Sequence, residues 1–281
     1  RGGVVDPASI RRFANAGNAG LTPILRTYLA GARSPEIAGA CAAVAGPVDG
    51  GVARLTNLDW TIDRDGLAAA TGAERIAVIN DLQAQGYALG HIAADCLRPL
   101  VGTAEPVRAP SPQLVIGVGT GFNAAVVHDG PMARAPCARS PARGRRRGGY
   151  RRRFTSSFSI SSAVEITRAF AWKPRCAMMT FAIMASIGSG DNPVAEATGA
   201  TFVRLLGTVA GDLALIHLPF GGIYLIGGVA RAFTPHYERF GFTAAFRDKG
   251  RFSSLATAFA VSIIEDDYAA LTGCARRLAE G

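Results

Sequence analysis

Two strand-sized apolar runs that each break on glycines do most to confine this chain. Leu114 to Val118 runs into Gly119-Thr120-Gly121, and Gly222 to Ile226 runs into Gly227-Gly228 before a helix start. Short buried strands interleaved with helical periodicity belong to α/β architecture. The first third follows the same rule. An amphipathic stretch around Leu21 to Leu29 precedes Ile37 to Val44, a buried strand ending at Gly46-Pro47. Val52 to Thr56 reads as a strand paired with that predecessor through the Asp49-Gly50-Gly51 turn. Asp63 to Ala70 reads as a helix with Asp63 as N-cap, and Arg75 to Ile79 as a strand closed by Asn80-Asp81 ahead of an Ala- and Leu-rich helix. Beyond the first glycine turn the chain returns through Ala124 to Val127 as a hairpin would, and a long amphipathic helix, Val194 to His217, leads to the second.

Charge is distributed unevenly. The formal net charge is +9, yet between Pro131 and Cys176 stand twelve Arg or Lys against the single acid Glu165, so the remainder is slightly acidic. From about Arg134 to Arg153 the text is Arg, Gly, Pro and Ala, followed by a Ser-rich run, and neither has a usable apolar face. The run around Tyr150 has three readings: a nucleic-acid contact with Tyr150 available to stack, a solvated loop, or translation in the wrong frame between Met132 and about Met184. We favour the last and expect no nucleic-acid partner.

Five scattered cysteines without a Cys-x-x-Cys pair suit a reducing cytoplasm, and the four histidines do not form a helical zinc motif. No apolar run reaches the roughly 18 to 20 residues of a bilayer span, so no membrane partner is expected. The opening Arg1-Gly2-Gly3-Val4 carries no secretory pattern and reads as an internal starting point.

Three places can carry chemistry. Asn80-Asp81 ends a strand and opens a helix, where α/β proteins place ligands, although Asp81 as a simple helix cap is the bland alternative. Gly119-Thr120-Gly121 lets backbone N–H groups approach phosphate oxygens, although hairpins also use such turns. Gly227-Gly228 offers a flat backbone surface at a helix start, or else only a tight turn.

Taken in order with Cys41 to Val52, Leu55-Thr56-Asn57, Trp60, Val78 to Asp81 and the block Gly241 to Phe252, these motifs resemble the bacterial glucokinase family of actin-like ATPases, outside the Arg-rich segment. The resemblance implies a two-lobed ribonuclease-H-like α/β fold with mixed sheets flanked by helices. It places 1–92 with 265–281 in a small lobe and 93–264 in a large one, with 134–176 aberrant or disordered. It also implies ATP-dependent phosphorylation of glucose with Mg2+, and a homodimer. Asp81 would be the general base, Asn80 and Asn57 would bind the sugar, and Gly119, Thr120, Gly121, Gly227 and Gly228 would bind the nucleotide. No protein metal ligand is assigned. The alternatives are a non-catalytic sugar or nucleotide binder on this fold and a polyanion binder.

Two departures set the expected activity. Nothing before Gly20 matches the family's Asp-x-Gly-Gly-Thr phosphate turn, and the Gly-Glu-Gly-Gly-His segment expected after Met132 is replaced by Arg134 to Arg143. Losing two or three charge-assisted sugar contacts costs roughly 3 to 9 kcal/mol. The expectation is poor sugar binding and little or no kinase activity.

Overall fold

The structure, a computed structural model, describes residues 4–32, 36–55, 58–103, 110–119, 121–131, 150–158, 184–187 and 192–280. The chain divides into two compact units, Arg1–Ile92 with Asp266–Gly281, and Ala93–Glu265.

In the first unit, strands β1 (Gly39–Val44) and β5 (Arg75–Asn80) pair in parallel, Val44 opposite Asn80. Alternation along the strands sends side chains to opposite faces. Ala40, Ala42, Ile76 and Val78 pack with Leu21 and Leu25 of α1 (Leu21–Gly31) and Leu67 of α2 (Arg64–Thr71). On the other face Cys41 and Ile79 meet α3 (Asp81–Ala88) and the C-terminal helix α8 (Ala269–Ala279). The last two helices press together at Gly273, where an added Cβ would run into the Ala84 carbonyl. Asp63 caps α2 as expected, accepting from Gly66 N–H at 2.6 Å.

The hairpin at Asp49-Gly50-Gly51 forms, but with different strands. Its arms are β2 (Val48–Asp49) and β3 (Val52–Arg54), joined by β4 (Thr61–Ile62) in a small antiparallel sheet. The strand ending at Val44 is not the hairpin partner: it pairs with β5 across an intervening helix, a non-local choice that turn chemistry does not encode.

The second unit holds a six-stranded mixed sheet. Its order is β6 (Leu97–Val101), β11 (Val261–Ile264), β10 (Ile223–Ile226), β7 (Gln113–Val118), β8 (Phe122–Pro131) and β9 (Tyr150–Phe158). Strands β11, β10 and β7 are parallel and mostly apolar, and their core includes Leu114, Ile116, Ile223, Leu225 and Ile263. Helix α4 (Pro193–His217) has the length and hydropathy of a membrane span, but its apolar face packs Val203, Leu206, Ala210 and Leu213 into that core. Close contacts at Gly207 and Gly211 seat it on α6 (Phe242–Arg247).

Within 134–176, the stretch expected to be aberrant or disordered, Tyr150–Phe158 runs antiparallel to β8, with Pro131 opposite Tyr150 and Ala124 opposite Phe158. Backbone N–H and C=O groups along the open side of β8 can pair with any extended chain, whatever its side chains. The rest of 134–176 lies outside the described residues.

Candidate active site

In the first unit the candidate residues grow from the junction of β5 and α3. Its local code is Asn80-Asp81-Leu82-Gln83, a helix-start signature. Asn80 Oδ1 accepts from Leu82 N–H at 2.9 Å, and Gln83 Oε1 accepts from Asn80 N–H at 3.2 Å, closing a capping box. Asn80 Nδ2 donates to the Gly46 carbonyl at 2.8 Å, which ties the helix start to the Gly46-Pro47 turn after β1.

The N-cap is therefore Asn80, and Asp81 shares in holding the first turn. Asp81 occupies the first helical position, its Oδ1 sharing the Leu82 N–H at 2.9 Å. Burial pushes its carboxyl above the usual carboxylate range. Hydrogen bonds from Leu82, from Asp81's own N–H and from Asn80 oppose that shift without cancelling it. A carboxylate that holds its proton more tightly than an exposed one is a better proton acceptor near neutrality. Asn57 lies outside the described residues.

In the second unit the candidate feature is backbone. β7 and β10 are parallel neighbours in register, Gly117 opposite Ile226, so both chains end on the same edge of the sheet, where open α/β sheets bind ligands. At the β7–β8 turn Gly119 N–H donates to the Gly121 carbonyl at 3.0 Å, and Val118 lies opposite Phe122 as the hairpin reading required. Thr120 lies outside the described residues. Gly227 sits against this turn: its φ is 106°, and a Cβ there would collide with the Val118 carbonyl. Only glycine meets both conditions.

The structure thus brings Gly119 and Gly121 beside Gly227 and Gly228 in one unit, and Asn80 beside Asp81 in the other. Around Gly119, Gly121 and Gly228 an added Cβ would meet no atom of the described residues within 4 Å. Among the described residues no group of three or more His, Cys, Asp or Glu could cage a metal ion. Sequence reasoning missed the roles of Gln83 and of the Gly46 carbonyl. The Asn-x-x-Gln spacing was the available signal for Gln83; the carbonyl contact has none.

A family model described as Glucokinase matches residues 2–139 and 159–281. The chain is 32% identical over 260 residues to a glucokinase of Mesorhizobium japonicum, covering 83% of this chain and 73% of that protein. It is 29% identical over 306 residues to a glucokinase of Nostoc punctiforme, covering 92% and 88%. Among solved structures, a glucokinase from an Antarctic psychrotroph superposes with a TM-score of 0.73 at 23% identity, covering 99% of this chain and 94% of that one. Glucokinase from Balamuthia mandrillaris in complex with glucose gives 0.61 at 17% identity, covering 92% and 82%. These structural likenesses establish the two-lobed sugar-kinase fold.

Proposed function

Because the chain belongs to the glucokinase family, we propose that it transfers the γ-phosphoryl group of ATP to the primary hydroxyl of glucose, with Asp81 as general base. The observation that carries the reading is the Asp81 carboxyl, half-buried, proton-retaining and next to the Asn80 cap. As the hydroxyl attacks phosphorus, Asp81 takes its proton. The paired glycine turns offer N–H groups to the phosphates without side chains in the way. Asn80 positions Asp81, and Asn80 and Asn57 are assigned to the sugar by the same resemblance. Thr120 adds a hydroxyl donor to the phosphate turn.

Magnesium in phosphoryl transfer neutralises charge on the nucleotide and takes most of its ligands from phosphate and water. A homodimer in a reducing cytoplasm completes the reading.

The rate is set by the sugar. Arg134 to Arg143 supplies no carboxylate or imidazole to grip hydroxyls, so transfer is slow. The test is a coupled assay of ADP release with and without glucose. The reading expects a slow, strictly glucose-dependent rate. Turnover indifferent to glucose would refute it, and brisk turnover at low glucose would refute the weakened sugar site alone.

A further inference from the structure

Behind α3, on the face of the sheet opposite α1, Cys41 of β1 packs against Cys274 of α8 in a small cluster with Ile79, Ala84 and Tyr87. The two thiols belong to the same packed cluster, and neither is in a disulfide. Their environments differ. Cys274 is 7% exposed, whereas Cys41 is only partly covered. Cys41 also lies in the field of Arg277, one turn along α8, whose guanidinium stands 5.9 Å from the Tyr87 ring centroid.

The side-chain interaction with Cys274 and the charge of Arg277 hold the Cys41 thiol below the usual range against the effect of burial. Cys274 is pushed the other way by the same interaction and by burial. One sulfur is poised as a nucleophile; its neighbour is a protected thiol within reach. The proposed kinase chemistry uses neither.

We propose that Cys41 and Cys274 form a peroxide-reactive dithiol site, with Cys41 the attacked and Cys274 the resolving residue. The Cys41 thiolate attacks one oxygen of a hydroperoxide. The O–O bond breaks, the alcohol or water leaves with a proton, and Cys41 becomes a sulfenic acid. The Cys274 sulfur then attacks the Cys41 sulfur; the S–S bond forms, the S–O bond breaks, and water leaves with the Cys274 proton. Two thiols are oxidised and one peroxide is reduced. The product bond ties α8 to β1. Both of these elements brace α3, α8 through the close contact of Gly273 with Ala84. The site stands independently of the kinase reading, because its chemistry needs only the two sulfurs.

The test treats the full chain with hydrogen peroxide, blocks remaining thiols by alkylation, and maps peptides by mass spectrometry without reduction. The expected product is one linked pair containing Cys41 and Cys274, two hydrogens lighter than the free peptides and separated by dithiothreitol. Before oxidation, Cys41 should alkylate at least roughly tenfold faster than Cys274. In Cys274→Ser, Cys41 should be captured by dimedone as its sulfenic acid. In Cys41→Ser, Cys274 should stay reduced. Recovery of both peptides unlinked while Cys96 oxidises would overturn the proposal, as would Cys274 oxidising at an unchanged rate in Cys41→Ser. The mapping of the unaltered chain requires no variant to fold.

Discussion

Asp81 lies one position inside α3, next to the residue that caps it. Asn80 is the N-cap, and Asp81 shares the Leu82 N–H with it. Asp81→Asn keeps an acceptor for the Leu82 N–H but cannot take a proton. General-base losses run to about 10²–10⁴-fold, and glucose phosphorylation should fall by that much. Thermal stability answers separately. A carboxyl whose folded pKa is raised contributes stability below its unfolded pKa, about 3.9 for Asp, and loses that contribution as pH rises through the folded value. Asp81→Asn should therefore melt at the same or a higher temperature at neutral pH. The same shift governs rate. Activity should fall as pH drops through the raised pKa, placing the acid limb of the kcat/KM profile above the ordinary Asp value; a limb at or below about 4 would show that Asp81 is not the base.

At the scale of elements, Asn80→Ala removes the cap and the tie to Gly46, and should cost about 1–2 kcal/mol in denaturant unfolding, with kcat falling as Asp81 loses its fixed place. Gly227→Ala meets both a φ of 106° and the Val118 carbonyl. It should weaken a non-hydrolysable ATP analogue in calorimetric titration by roughly tenfold or more, given strain of about 1–3 kcal/mol. These elements were legible because their signals are local. The hairpin of β7 and β8, the α2 cap at Asp63, the long α4 and the glycine turns each announce themselves within a few residues. What was hidden is non-local or lacks a pattern. The parallel pairing of β1 with β5 leaves no mark in either strand, so Val44 was joined to the wrong partner. Tyr150–Phe158 has no apolar alternation to announce the strand that pairs with β8. Cys41 and Cys274 meet only because α8 folds back on β1.

At the scale of the molecule, the two units have unequal cores. The second is built on Tyr237, Phe242, Phe246 and Phe259 beneath a six-stranded sheet, the first on two small clusters about a two-stranded one. Calorimetry should resolve an earlier transition for the first unit, and amide exchange should be faster in β1 and β5 than in β7 and β10. An ATP analogue should raise the later transition more than the earlier one, because the glycine turns belong to the second unit. The family match breaks over 140–158, which contains Arg143 to Arg153 of the arginine run, and resumes at 159. The most direct test of the central claim is glucose 6-phosphate formed from ATP at high glucose by the unaltered chain and by Asp81→Asn. The account predicts slow product from the first and at least roughly a hundredfold less from the second; equal rates, or no product from the unaltered chain at any glucose concentration, would contradict it.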